Sequence, residues 1–116
     1  MLPKQYRLKK RSAFKATYKV KNSSHSGGVT LFAGILKKEE YPTKVGFVVS
    51  KKVHKRAVKR NRLKRLMRES YRILLKEGSV AESQKYMSLV FVGSDRALGK
   101  SFVEIKSSIE KLLERI

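Results

Sequence analysis

The sequence predicts an α+β fold in which helices cover a small sheet. Apolar residues recur at helical spacing in two long segments, and β-branched and aromatic runs of strand length lie around the first of these. The predicted order is helix, strands, helix, strand, helix, which is typical of a two-layer sandwich. With 116 residues the chain is long enough for one modest core, so residues 1–116 are predicted to form a single domain.

The chain is strongly basic. It has 29 Lys and Arg against 9 Asp and Glu, a net charge of +20 and a pI near 10.5. Because 33 residues are Leu, Ile, Val or Phe, this charge belongs to a folded body rather than a disordered chain. Charge of this size attracts phosphate polymers, so RNA or DNA is the first expected partner.

An anionic membrane surface is the competing partner. No apolar run approaches the roughly 20 residues needed to span a bilayer. The first residues also lack the apolar segment of a secretory signal. We therefore expect a cytoplasmic protein without a membrane partner.

The opening segment is predicted to be an arm followed by a short helix. Residues 1–11 are basic and irregular, which is typical of a flexible arm that orders on contact. Ser12 can cap a helix that runs to about Val20, on which Phe14 and Tyr18 are neighbours on one face. Aromatic pairs at this spacing occur more often in cores than on ligand surfaces, but the polar tip of Tyr18 also suits a cleft wall.

Two strands are predicted after this helix. Residues 22–28 have the composition of a loop, whereas residues 29–36 and 44–49 are β-branched and aromatic. Their connection is too long for a tight hairpin, but the two strands are expected to be antiparallel neighbours. Phe32 alternates away from Leu31, and the alternation leaves open whether its face is core or cleft.

Residues 50–72 carry the densest charge. Between residues 51 and 68 there are ten basic residues in eighteen positions and no acid. An apolar stripe at helical spacing comprises Leu63, Leu66, Met67, Ser70, Ile73 and Leu74. The opposite face carries Asn61, Arg65, Arg68 and Arg72. The stripe ends toward the N-terminus, so the first two turns should project past the core. Because like charges one turn apart repel, this face predicts a polyanionic ligand rather than simple solvation.

The remainder of the chain predicts one strand and one helix. Residues 77–84 read as a polar loop, residues 86–92 as a strand and residues 93–99 as a turn. The last helix begins at Lys100 or Ser101 and has a clean apolar stripe. Its members are Phe102, Ile105, Ile109, Leu112 and Leu113.

No residue set for catalysis or metal binding is evident. The absence of cysteine excludes disulfides and thiolate zinc sites, and His25 and His54 lie far apart in the sequence. None of the nine acids is spaced from a histidine as a general acid and base pair would be. Phosphodiester cleavage by a protein needs metal-binding carboxylates or paired histidines. We predict no catalytic and no metal-binding residues here, so that reacting groups and metals belong to a partner.

A motif in the basic stretch carries a family resemblance. It consists of Gly46, Ser50, Lys51, Lys52, Ala57, Arg60, Asn61, Arg62, Lys64, Arg65 and Arg68. The segment resembles the protein subunit of bacterial ribonuclease P. The shared pattern is a strand, then Ser-Lys-Lys, then Ala after a short link, and then Arg-Asn-Arg-x-Lys-Arg. The likeness extends along most of the chain. Residues 21–25 and the surroundings of the last strand, at 86–88 and 93–94, depart from the family pattern.

The resemblance implies a fold and a function. The expected fold is an αβββαβα sandwich similar to the second domain of ribosomal protein S5, with the basic helix in a left-handed βαβ crossover, against the usual handedness. The expected role is as a subunit of an endoribonuclease holoenzyme in which the catalytic RNA removes the 5′ leader of precursor tRNA. Mg²⁺ would be held mainly by the RNA. The partners implied are the catalytic RNA and precursor tRNA, and no protein partner is implied.

The resemblance also assigns site residues. Those expected to bind the catalytic RNA are Lys51, Lys52, Arg56, Arg60, Asn61, Arg62, Lys64, Arg65 and Arg68. Those expected to line a cleft for the 5′ leader are Phe14, Tyr18 and Phe32. Two alternatives share the charge and size: a ribosomal or other structural RNA-binding protein, and a major-groove DNA reader. The second lacks the partner helix of a helix-turn-helix and any zipper heptads.

Overall fold

The computed structural model describes residues 2–78 and 81–116. Its helices and strands, in chain order, are α1 (Arg11–Lys19), β1 (Asn22–Ser26), β2 (Val29–Ala33), β3 (Lys44–Val48), α2 (Ala57–Glu77), β4 (Ser88–Gly93) and α3 (Phe102–Arg115). Short 3-10 turns span Lys4–Tyr6, Ala81–Lys85 and Asp95–Ala97. The predicted α+β class and the αβββαβα order are confirmed.

The four strands form one mixed sheet in the order β1-β2-β4-β3. Strand β2 is antiparallel to both β1 and β4, whereas β3 is parallel to β4. The expectation that β2 and β3 are antiparallel neighbours is wrong, because β4 inserts between them. The parallel β3–α2–β4 unit is the βαβ crossover that contains the basic helix.

Strand β1 lies within the segment predicted to be a loop. It pairs with β2 from Asn22 opposite Ala33 to Ser26 opposite Val29. Gly27 and Gly28 have φ of 56° and 86°, as a two-residue primed turn requires, so the hairpin closes without steric cost. The polar residues of β1 are tolerated because it is an edge strand with one partner. The loop prediction for residues 22–26 is therefore wrong.

One face of the sheet forms the core under α2 and α3. Alternate strand residues point into it, including Leu31, Val45 and Phe91. Tyr71 of α2, absent from the predicted stripe, is fully buried here and its hydroxyl accepts a hydrogen bond from Gln84 Nε2 at 2.9 Å. Burial raises the pKa of Tyr71 to about 12. The predicted residues Leu63, Met67, Ser70 and Leu74 are buried as expected.

The other face is crossed by α1. Thr17 of α1 is buried, and its Oγ1 lies 2.6 Å from Ser88 Oγ at the start of β4. Helix α1 begins at Arg11, one residue before the predicted cap Ser12, and its N-cap residue Lys10 makes no side-chain capping bond. The predicted cap at Ser12 is therefore wrong, and contacts with the sheet position the helix instead.

The opening segment, for which the sequence predicts a basic arm, packs on the sheet between Leu2 and Leu8. Leu2 is 1% exposed and belongs to the core. The Leu8 N–H donates to the Val45 carbonyl at 2.9 Å, and Arg7 forms a parallel bridge with the same strand residue. Leu2 and Leu8 thus anchor residues 2–8 on the sheet, Tyr6 packs against the core, and residues 3–5 are exposed.

The C-terminal helix α3 follows its prediction closely. Ser101 and Glu104 form a capping box, with the Glu104 N–H donating to Ser101 Oγ at 3.2 Å and the Ser101 N–H to Glu104 Oε1 at 3.1 Å. Four of the five stripe residues are buried, and Phe102 is half-buried beside the N-terminus of the helix.

Several predicted segment bounds differ from the structure. Strand β2 ends at Ala33, and strand β4 begins at Ser88, because the chain beyond is joined only by an isolated bridge between Leu36 and Tyr86. Of the predicted polar loop at residues 77–84, Glu77 ends α2, residues 79–80 lie outside the described residues, and residues 81–84 belong to the 3-10 turn Ala81–Lys85. None of the described helices combines the length and apolar character needed to cross a lipid bilayer.

Candidate nucleic-acid interface

Helix α2 separates its apolar and basic residues onto two faces. Leu63, Met67 and Leu74 are at most 1% exposed on the core side. The opposite side forms a shallow concavity of about 560 Å³ lined by Val58, Asn61, Arg62, Lys64, Arg65 and Arg68. Five of the predicted RNA-binding residues are thus brought together on one surface. Val58 is 77% exposed, so an apolar group also lies on this surface.

The connection before α2 presents the other predicted cations. Lys51 and Lys52 are exposed in a turn that Ser50 closes, where the Lys52 N–H donates to Ser50 Oγ at 3.0 Å. Arg56 is exposed and immediately precedes the first helical residue. These three side chains lie at the start of α2 and do not line the concavity of its outer face.

Arg60 differs from its neighbours because its guanidinium makes hydrogen bonds to the backbone of this chain. Its Nη1 donates to the His54 carbonyl at 2.7 Å and to the Lys55 carbonyl at 2.8 Å. Arg62 Nη2 makes a longer contact of 3.3 Å with the Lys100 carbonyl, before α3. Arg60 therefore positions the connection that carries the other cations, and its guanidinium is only partly available to a ligand.

The charge of α2 is not balanced within the described part of the chain. None of the ten cations at positions 51–68 forms an ion pair there, whereas Arg72 Nη2 lies 3.0 Å from Glu69 Oε2. The Arg72 guanidinium holds the pKa of the Glu69 carboxyl below its usual value. The unpaired region therefore ends at Arg68. Gathered like charge of this kind costs stability and favours a polyanionic ligand.

The three predicted aromatic residues lie on the sheet face that α1 crosses. The Tyr18 and Phe32 rings meet edge to face, with centroids 4.9 Å apart. Phe14 packs on the backbone of Gly46, where an added Cβ would come within 2.4 Å of the ring. All three side chains are half-buried, and burial raises the pKa of Tyr18. They are thus accessible aromatic surfaces at the margin of α1 rather than members of the buried core.

Each of the two histidines makes a local hydrogen bond. His25 Nδ1 is 2.8 Å from Thr30 Oγ1, and His54 Nδ1 accepts the Arg56 N–H at 3.0 Å. No three described His, Asp or Glu side chains lie close enough together to hold a metal ion. The arrangement is suited to binding a polyanion through cations and aromatic rings.

A groove that the sequence patterns did not indicate lies on the other flank of α1. This flank carries the small residues Ala13 and Ala16, while Phe14 and Tyr18 occupy the aromatic flank. The alternation of small and aromatic residues along one short helix is the signal that could have indicated two different surfaces.

Comparison with known proteins gives consistent matches over the whole chain. The family model for ribonuclease P matches residues 2–116. The ribonuclease P protein component of Clostridium kluyveri is 36% identical over 110 residues, covering 95% of this chain and 93% of the relative. That of Symbiobacterium thermophilum is 36% identical over 115 residues, covering 98% and 93%. The solved structure of the Staphylococcus aureus RNase P protein is 26% identical, with a TM-score of 0.79, and the match covers 97% of this chain and 95% of that one.

Proposed function

Since the chain belongs to the ribonuclease P protein family, we propose that it binds the catalytic RNA and the 5′ leader of precursor tRNA within that RNA-processing endoribonuclease. Family membership makes the chain a subunit of the enzyme with an RNA partner. The finer assignment of surfaces rests on the geometry described above. We place the assembly in the cytoplasm.

The observation that carries the proposal is the unbalanced cationic face of α2. Asn61, Arg62, Lys64, Arg65 and Arg68 share one concave surface without an acidic neighbour among its lining residues. Guanidinium and ammonium groups neutralise phosphates and release counterions, which favours binding. We assign this surface to the catalytic RNA, together with Lys51, Lys52 and Arg56 at the start of the helix. Arg60 acts mainly by holding the connection.

The leader is assigned to the aromatic surface of α1 and β2. Aromatic faces bind single strands with little sequence preference, at roughly 1–3 kcal/mol per stacked base. Phe14, Tyr18 and Phe32 expose part of their rings on one sheet face. A leader has variable sequence, so a stacking surface suits it better than hydrogen-bonded base readout.

The chemistry of leader removal is assigned to the RNA. Mg²⁺ prefers several oxygen ligands with carboxylates among them, and the described acids do not cluster to supply these. We therefore derive no metal site on this chain and expect phosphate oxygens of the RNA to hold Mg²⁺. The protein side chains bind and orient RNA without exchanging protons with the reacting phosphate.

Reconstitution tests the proposal. Purified chain alone, freed of RNA, should not cleave precursor tRNA, whereas adding a bacterial ribonuclease P RNA and Mg²⁺ should give processing at the 5′ end. The RNA alone under the same ionic conditions is the control. Cleavage by the chain in chelator-treated buffer, or reconstitution in which the chain changes neither binding nor cleavage, would contradict the proposal.

A further inference from the structure

A second groove lies on the flank of α1 that faces away from the aromatic surface. It has an apolar part of about 560 Å³, within the range of roughly 300–1,000 Å³ of sites that hold small organic ligands. Its lining residues are Leu8, Ala13, Ala16, Thr17, Gly34, Ile35, Tyr41, Pro42, Lys44, Met87 and Ser88. No residue assigned above to the catalytic RNA or to the leader lines this space.

The apolar part continues into a basic part. The second part shares Leu8, Ala13 and Lys44 with the first. Its cations are Lys4, Arg7, Lys9, Lys10 and Lys44. No acidic residue is among the described residues that line either part. The groove thus presents positive charge at one end and an apolar recess at the other.

Two polar groups of the residues that line this groove have unused hydrogen-bonding capacity. Arg7 Nε is buried and has no hydrogen-bond partner in the described part of the chain, although a buried donor is normally satisfied. Thr17 Oγ1 donates to the Ala13 carbonyl at 2.8 Å, so the proton in its 2.6 Å contact with Ser88 Oγ comes from Ser88. The Ser88 oxygen can therefore accept an N–H of a ligand. Arg7 Nε is covered by the protein, so a phosphate reaches it only if the guanidinium turns toward the basic part of the groove, which Arg7 lines.

We propose that this groove binds one unpaired nucleotide of RNA, with its base in the apolar part and its phosphates on the adjoining lysines. A nucleotide is a flat ring attached to an anion, which matches a recess walled by Tyr41 and Pro42 next to a cluster of cations. A base in a duplex cannot enter, because its faces are already stacked and its edges paired. The proposal rests on RNA being the ligand of this chain, but it uses residues separate from those assigned above.

The nucleotide has two possible sources, the catalytic RNA and the precursor tRNA, and crosslinking separates them. The chain contains no cysteine, so Ala16→Cys introduces a single thiol at an exposed position of the groove. Val103→Cys is the matched control, since Val103 is 74% exposed on α3. Each thiol is coupled to an azide photo-crosslinker and the holoenzyme is assembled with labelled RNAs.

Crosslinks from position 16 should fall on one short unpaired stretch, and the labelled RNA identifies the source. Crosslinks that match those from position 103 in yield and position would overturn the proposal. So would crosslinks from position 16 that fall only on duplex regions.

A titration tests the base contact in the protein alone. The probe is an oligoadenylate of four nucleotides. It is added to the full-length chain carrying Phe32→Ala, so that the aromatic surface of α1 and β2 binds less of the probe. Methyl NMR signals of Ala16, Ile35 and Met87 should shift on binding. Tyr41→Ala should weaken this binding about fivefold to a hundredfold, the range that corresponds to loss of one stacked base, while Tyr41→Phe should retain it.

The controls keep this outcome separate from that of the proposed function. Thermal melting of each Tyr41 variant shows that the chain is folded. Unshifted groove methyls, or equal affinity of Tyr41→Ala and the parent chain, would overturn the groove proposal even when reconstitution with the catalytic RNA succeeds. Shifts of the same methyls with phosphatidylglycerol vesicles but not with oligoadenylate would also overturn it.

Discussion

The two faces of the sheet are built from the same strands but are covered to different extents. Helices α2 and α3 cover one face, where Leu31 and Phe91 are 0% exposed. Helix α1 alone crosses the other face and leaves Phe32 and Tyr18 half-buried. Adjacent residues of β2, Leu31 and Phe32, therefore have different roles: one stabilises the fold and the other is available to a ligand. The division arises from the two-residue repeat of a strand.

The strongest test of this comparison is truncation on the covered face. Phe91→Ala removes a ring that stacks on Phe47 at 5.6 Å and contacts Tyr71 at 5.8 Å between centroids. A buried Phe replaced by Ala costs about 3–5 kcal/mol, so the free energy of unfolding should fall by that amount. Urea unfolding measures it. A loss below about 1 kcal/mol would show that this face is not the core.

Alkaline pH should also destabilise the covered face, through Tyr71. Its pKa is raised to about 12 by burial, from 10.0. Below pH 10 both states keep the proton, and between pH 10 and 12 the unfolded state releases it first. At 1.36 kcal/mol per pKa unit, the unfolding free energy should fall by about 2–3 kcal/mol across that window.

The Tyr71→Phe variant isolates this contribution from the titration of the lysines. Its unfolding free energy should decline less steeply between pH 10 and 12 than that of the parent chain, because no phenol remains to ionise. Parallel declines in the two proteins, measured by urea unfolding at each pH, would mean that Tyr71 does not contribute to alkaline unfolding.

The partly covered face should show the opposite balance between stability and binding. Phe32→Ala should weaken binding of precursor tRNA to the holoenzyme by about 1–3 kcal/mol, the value of a stacked base, and leave mature tRNA binding unchanged. Its effect on unfolding should be smaller than that of Phe91→Ala, because the half-buried ring loses the Tyr18 contact, worth about 0.5–1.5 kcal/mol, and less buried apolar area than a core Phe. Phe14→Ala and Tyr18→Ala should behave alike. If the affinities for precursor and mature tRNA fell equally, these residues would have a structural role rather than a role in binding the leader.

The sequence predicted those features that depend on local periodicity. The apolar stripe of α2 and the capped start of α3 agree with their predictions, because the residues that form each of them lie within one continuous segment. The Arg-Asn-Arg motif also identified the basic surface, since five of its predicted residues share one concavity. The alternation of strand residues alone also predicted correctly that Phe32 and Leu31 point to different faces of the sheet.

The features that were missed depend on distant partners. Strand β1 is polar, and only its pairing with β2 makes it a strand. Leu2 belongs to an irregular, basic segment without a helix or strand pattern, so its place in the core could not be predicted from local sequence. The position of β4 between β2 and β3 depends on the β3–α2–β4 crossover, which no local pattern predicts. The groove beside α1 combines residues from four separate segments, and no motif connects them.

The smallest expected effect is a change in the salt dependence of RNA binding, which distinguishes a cation that contacts RNA from a cation that is ion-paired within α2. Arg65→Ala and Arg68→Ala each remove a guanidinium that lines the concave face, so each should lower the dependence of log K on log salt by about 0.7 to 0.9 for assembly with the catalytic RNA. Arg72→Ala is the matched control, because Arg72 lies one turn further along and is neutralised by Glu69 at 3.0 Å. Its slope should remain that of the parent chain. Filter binding across a salt series measures all three, and melting temperatures should stay nearly constant since none of these residues belongs to the core. If the slope falls equally for all three variants, binding responds to total charge alone; if it falls for none, the outer face of α2 is solvated and the catalytic RNA binds elsewhere.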